Sequence, residues 1–222
     1  MAGRPKKKPE YNPELQFNHF LQELRDAYEE ADSLRSLADE LNISLLTRDG
    51  KAEALPLNMF GPITNWKHHS IADVSAFQIK FSDINKKFME NRFFPYDHIN
   101  ITQNVVSRDF ELTSIGFPQG LGTEGAFSPF TFRSYASSGF VTLPRADTGT
   151  MSDFFCLENP SVGGYSGCPI FDLGYSTNGV MSITKEKTWC HGIMHGTMSD
   201  NTGGKIALVT PAFYLKDIMC GY

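Results

Sequence analysis

The chain has 222 residues and a net charge of −5 at neutral pH, enough for one large domain or two small ones and the wrong balance for binding nucleic acid through overall charge. Its 41% hydrophobic and 20% charged residues are ordinary for a soluble globular protein, and 18 Phe beside 19 Gly favour short strands and tight turns over long helices. No stretch has the length of a membrane-spanning helix and no apolar segment follows the basic start as a signal peptide requires, so the expectation is a cytoplasmic protein without a membrane partner.

The first feature in chain order is a basic run, Arg4, Lys6, Lys7 and Lys8, broken by prolines. It reads as a solvated terminus, or alternatively as a phosphate-contacting arm. From Pro13 to Leu46 the pattern is helical: Leu15, Phe20, Leu24, Tyr28 and Ala31 recur at spacings of three to five with charges between them. A second helix is expected from Asp32-Ser33 to Leu41, with a turn at Asn42-Ile43-Ser44. Ser33 to Ser44 resembles the first helix and turn of a helix-turn-helix module, with Leu37, Ala38 and Leu41 as its packing face. A recognition helix should follow Ser44, but Leu45 to Gly50 runs into a turn signal instead. A plain amphipathic helical hairpin is the other reading. DNA binding therefore stands only as a weak alternative, and residues 1–57 are read as a helical segment preceding a domain at 58–222.

Beyond residue 57 the pattern changes to alternation. Val74–Phe81 and Phe110–Ile115 alternate apolar with polar side chains. Further strands are expected at Phe132–Tyr135, Gly139–Leu143, Asp153–Leu157, Cys168–Asp172, Thr188–Gly196 and Lys205–Thr210, separated by Gly, Pro, Asn and Asp. Many short strands with turn signals predict a β-barrel or sandwich. The four cysteines, Cys156, Cys168, Cys190 and Cys220, form no C-x-x-C pair, so no metal site is expected. They read as reduced thiols, or as a Cys168–Cys190 bridge in an oxidising compartment.

The stretch Ser161-Val162-Gly163-Gly164-Tyr165-Ser166-Gly167-Cys168-Pro169-Ile170-Phe171 carries the chemistry. Gly164 is free to take backbone angles that other residues resist. Its amide and that of Ser166 can then point into one cavity and form an oxyanion hole beside the serine oxygen. Gly167 leaves room for substrate, and Pro169 stiffens the exit into a strand. Gly164 to Pro169 is similar to the G-x-S-G-x-P signature of trypsin-like serine peptidases. Trp189 to Thr197 resembles that family's substrate-holding strand, Ile206 to Leu215 its last strand and C-terminal helix, and Ile115 to Pro118 the strand that opens the second barrel. The resemblance covers roughly residues 60–222. It implies a mainly β fold, a trypsin-like β-barrel with the second barrel complete and the first partial, preceded by a small α-helical segment. It also implies hydrolysis of a peptide or protein substrate without a cofactor, with Ser166 as nucleophile and Gly164 and Ser166 as oxyanion hole.

Two departures bear on specificity. Tyr165 stands where the animal digestive enzymes carry an acid, so activation by N-terminal cleavage is not expected. Pro160 stands where trypsin binds basic side chains, so basic specificity is not expected either. Ser161, His195 and Gly196 fall on the substrate pocket, and His195 would favour an acidic or amide side chain, as in glutamate-specific members, unless it sits on the strand's outer face. Asp73, in the segment Trp66 to Phe77, resembles the family's orienting aspartate, with Ser75 in place of an alanine.

A serine needs a base, and no segment resembles the family's histidine turn. His19 lies in a helical pattern, and His98 falls in the loop between barrels. His68 and His69 precede Asp73 closely and are the nearest candidates for the base, although side chains so near on one extended segment reach the serine poorly. A dyad using His191 or His195 is a further arrangement. The expected functions are thus a serine endopeptidase, a catalytically dead remnant serving as a binding module, or a DNA-binding regulator.

Overall fold

The computed structural model describes residues 42–46, 50–56, 66–79, 93–123, 125–145, 147–178, 181–184 and 187–219. The basic run, the helical pattern up to Leu41, and His19 lie outside the described residues. Asn42-Ile43-Ser44, expected as a turn closing a helix, instead begins strand β1 (Asn42–Leu46), which pairs antiparallel with β2 (Ala52–Pro56). Asn and Ser favour turns locally, but Ile43-Ser44-Leu45 also alternates, and a paired strand satisfies its backbone groups in a ladder. Gly50, at φ +81°, lies in the link between the two strands, as the turn signal predicted. Its carbonyl accepts the Phe127 amide at 3.1 Å, and Lys51 bridges Ala126, which ties the hairpin to the rest of the chain.

A second small ladder joins β3 (Trp66–His68) and β4 (Ser75–Phe77). The strand expected over Val74–Phe81 is paired only within β4; Lys80 and Phe81 lie outside the described residues. The body of the protein is one seven-stranded antiparallel sheet. Its strands are β5 (Leu112–Gly116), β6 (Phe130–Ser134), β7 (Val141–Pro144), β8 (Met151–Leu157), β9 (Pro169–Asp172), β12 (Trp189–Ser199) and β13 (Lys205–Pro211), in the spatial order β6-β5-β9-β12-β13-β8-β7. Each contains a stretch predicted from alternation. Between β9 and β12 a hairpin, β10 (Tyr175–Asn178) and β11 (Met181–Thr184), was not anticipated, although Asn178-Gly179 is a strong hairpin signal.

The sheet curls. The chain leaving β6 meets the end of β8: Ala136 bridges Leu157, the Ser137 amide donates to the Cys156 carbonyl at 2.8 Å, and the Glu158 amide donates to the Tyr135 carbonyl at 3.0 Å. Two strands that stand first and sixth in the order therefore touch. Inside the curl lies the main core, where Leu112, Phe155, Tyr165, Ile170, Met194 and Val209 are buried against one another. Burying each such side chain stabilises the fold by about 1.5–3 kcal/mol.

After β13 the chain turns into a short helix, α1 (Tyr214–Met219). Phe213, Tyr214 and Ile218 pack on Ala72 and Val74, forming a second apolar cluster. The turn between β3 and β4 is thereby fastened to the end of the chain. Cys156, Cys168 and Cys190 are buried free thiols, so the alternative Cys168–Cys190 bridge is not formed.

Phe155 is fully buried at the centre of the curl, whereas Ile206 is 42% exposed on β13. Phe155→Ala is expected to lower stability by about 3–5 kcal/mol through loss of burial and the cavity left behind, and Ile206→Ala by less than about 0.5 kcal/mol. Urea denaturation of both variants checks this contrast.

Candidate active site

The serine turn is built from the inside out. Tyr165 is 1% exposed; its hydroxyl donates to the Phe130 carbonyl at 2.8 Å and its ring meets Phe132 edge-on at 5.0 Å. Cys168 is buried as well, and between these anchors Ser166 and Gly167 stay exposed. Two tight turns shape the segment: the Tyr165 amide donates to the Val162 carbonyl and the Cys168 amide to the Tyr165 carbonyl. Gly164 adopts φ +91°, and a Cβ there would lie 2.3 Å from the Gln119 backbone nitrogen. Conformation and space both demand glycine. Among the described residues, the amides of Gly164 and Ser166 have no hydrogen-bond acceptor. Both donors of the expected oxyanion hole are thus uncommitted.

The turn is docked on β12. The Gly167 amide donates to the Met194 carbonyl and the Met194 amide to the Cys168 carbonyl, each at 2.8 Å. Two residues of the turn oppose the single residue Met194, and Ser166 and His195 are the next residues along the two segments. His195 is itself the extra residue of a β-bulge, because Met194 pairs with Val209 and Gly196 with Leu208. A bulge re-aims the side chain it carries. Ser161 completes this neighbourhood: its hydroxyl is hydrogen-bonded to the Thr197 hydroxyl, next to Gly196. The three residues expected to line a substrate pocket are therefore neighbours.

His195 turns towards Asp73. Its Nδ1 lies 3.1 Å from Asp73 Oδ2, and the imidazole is only 12% exposed, packed on the ring of Phe154 with centroids 4.9 Å apart. Asp73 is presented by alternation: Ala72 and Val74 point into the cluster beneath α1, so Asp73 points out. On its other side Arg145 Nη2 is 3.3 Å from Asp73 Oδ1, and the same guanidinium binds Asp147 through Nε at 2.9 Å and reaches the Ile71 carbonyl. The hydrogen bond from His195 is the largest influence lowering the Asp73 carboxyl below its ordinary value; partial burial opposes it and the Arg145 charge assists. An ionised Asp73 fixes the imidazole tautomer, with the proton on Nδ1 and a lone pair on Nε2.

The nearest histidines in sequence do other work. His69 Nδ1 accepts the amides of Ile71 and Ala72 at 3.2 and 3.0 Å, while Nε2 donates to Asp217 Oδ2 at 3.2 Å. Its ring packs edge-on against Tyr214 at 4.7 Å. Both nitrogens hold the turn against α1, so His69 stands as a brace instead of the expected base. His68 Nδ1 is 2.7 Å from Ser75 Oγ across the small ladder. Asp73 is paired with neither. His98 is the last residue of a one-turn 3-10 helix, Tyr96–His98, and contacts Phe94 and Trp189. His191 Nδ1 lies 3.1 Å from Asn100 Nδ2 and lines a cavity of about 620 Å³ with Tyr96, Phe110, Asp172 and Trp189. That cavity opens at the ends of β9 and β12 remote from Ser166.

Two further groups define the chemistry. Burial pushes the Cys168 thiol up to about 12, so it stays protonated, and the turn presents Ser166 as its exposed hydroxyl. Arg145, which braces Asp73, was not anticipated; only the nearby Asp147 hinted at a paired cation. Among the described residues no group of three or more His, Cys, Asp or Glu could hold a metal ion, and no helix is long and apolar enough to cross a membrane.

Because the folded carboxyl of Asp73 titrates below the ordinary aspartate value of about 3.9, its pairing stabilises the fold above that value. The contribution is lost as pH falls through the lower folded value. Wild type should therefore exceed Asp73→Asn in urea midpoint at neutral pH, and the gap should close below about pH 4; a gap independent of pH would contradict the pairing. No protein-family model, curated protein or solved structure matches the chain, so its own residues are the whole basis for assigning a function.

Proposed function

We propose that the chain is a serine-type endopeptidase of the trypsin-like kind, acting on peptide or protein substrates through an acyl-enzyme on Ser166. The observation that carries this reading is the serine turn: an exposed Ser166 beside two uncommitted amides, held by a buried Tyr165 and docked next to an aspartate–histidine pair. In the reaction, Ser166 Oγ bonds to the scissile carbonyl carbon while the carbonyl oxygen gathers negative charge between the Gly164 and Ser166 amides. The C–N bond then breaks and the amine leaves with a proton. Water repeats the attack on the ester and frees Ser166. The curl of strands from β6 round to β8 supports reading this part of the chain as the second barrel of such an enzyme, and the β3–β4 ladder with Asp73 as a remainder of the first.

One observation favours a second reading. Among the described residues no imidazole is hydrogen-bonded to the Ser166 hydroxyl. A catalytically dead binding module with the same surface would look alike at this point.

Labelling with a fluorophosphonate probe separates the two. The peptidase reading expects covalent labelling of the wild type that Ser166→Ala abolishes; an unlabelled, fully folded wild type would favour the binding module. In Gly164→Ala the new methyl would collide with the Gln119 backbone. Displacing one oxyanion donor should slow labelling by about 10²–10³-fold, measured as the second-order rate with the same probe.

A further inference from the structure

We infer that His195 is the general base for Ser166 and that Asp73 is the residue that positions it; this rests on the reading of Ser166 as the nucleophile. His68 and His69 are committed to Ser75 and to the turn beneath α1. His195 alone among the described histidines combines a carboxylate partner with a place opposite the serine turn. Gly167 and Cys168 are bonded to Met194, so Ser166 and His195 are the next residues along the two segments, and the proposed contact forms by rotation of the two side chains. The catalytic contact need not be formed before substrate arrives.

The neighbourhood suits the role. Asp73 holds Nδ1–H, which leaves Nε2 with its lone pair and, among the described residues, with no hydrogen-bond partner. The Phe154 ring covers one side of the imidazole. The charged groups around the pair are Asp73 from the β3–β4 turn, and Arg145 with Asp147 from the segment after β7. The His195 hydrogen bond, assisted by the Arg145 charge, favours the ionised form of Asp73, so the carboxylate can stabilise the imidazolium formed in the reaction.

The proton balance is simple. Nε2 takes the Ser166 hydroxyl proton as Oγ bonds to the carbonyl carbon. The imidazolium then gives that proton to the leaving nitrogen as the C–N bond breaks. In the second half Nε2 takes a proton from water, whose oxygen bonds to the acyl carbon, and returns it to Ser166 Oγ as the ester bond breaks. Asp73 stays ionised throughout.

The experiment measures the fluorophosphonate labelling rate as a function of pH in the full chain. For wild type the rate should rise with pH as the base loses its proton. His195→Ala should label at least about 100-fold more slowly and lose that rise, and added imidazole should restore part of the rate. His195→Gln serves as the second variant, with circular dichroism and melting to establish that the fold is intact. Asp73→Asn should also be slower, with its remaining pH midpoint moved down, because the imidazolium has lost its carboxylate; a merely structural loss would leave the midpoint in place. Labelling that vanishes in Ser166→Ala but proceeds at the wild-type rate in folded His195→Ala would overturn the assignment and leave the nucleophile standing. So would a loss confined to His68→Gln or His69→Gln. If folded wild type shows no Ser166-dependent labelling, the peptidase reading falls and this assignment with it.

Discussion

The backbone of Met194 makes two hydrogen bonds to the serine turn, accepting from Gly167 and donating to Cys168. Those bonds join the turn that carries Ser166 to the strand that carries His195, and almost every other feature of the site is arranged around them. Met194 is 3% exposed and packs into the core within the curl, so the junction is fixed from beneath. Tyr165 enters the same core from the turn. Since both anchors face inward, Ser166 is left exposed on the turn and His195 lies on the strand face that meets Phe154. Orientation of these two side chains is thus a by-product of core packing.

The acid is held by a separate device. Ala72 and Val74 are gripped by Phe213, Tyr214 and Ile218, while His69 ties the same turn to Asp217 and the Tyr214 hydroxyl accepts the Asp153 amide at 3.0 Å. A helix of six residues would be marginal alone; its stability comes from this packing. Arg145 then closes the arrangement from β7, sharing its guanidinium between Asp73 and Asp147. Burial works against the Asp147 carboxylate, yet the Arg145 hydrogen bond and charge bring it below its ordinary range. The aspartate–histidine pair therefore draws on three regions: the turn before β4, the segment after β7, and the bulge in β12.

Much of this was legible in the residues. Glycines flanking Tyr165-Ser166 announce a turn whose φ angles only glycine accepts readily, and the strands of the sheet follow from alternation between turn residues. Tyr165 was legible only as the lack of an acid; its role as anchor depends on Phe130 and Phe132, which are distant in sequence. Asn42–Ser44 was misjudged because turn propensity and strand alternation compete there, and pairing with Ala54–Pro56 decides between them. The partner of Asp73 was the least legible element. A bulge adds one residue to the register, and nothing in the letters Met194-His195-Gly196 shows that the ladder skips the middle one.

The Asp73–His195 contact joins residues 122 positions apart. Closing a loop of that length carries a large entropic cost, which local structure does little to offset. The β5–β6 and β7–β8 pairings span short separations, while the contact between acid and imidazole needs β12 and the turn beneath α1 both in place. The carboxylate–imidazole pair thus depends on long-range order, and a chain that melts at α1 is expected to lose the grip on Asp73 while the serine turn keeps its backbone bonds to Met194.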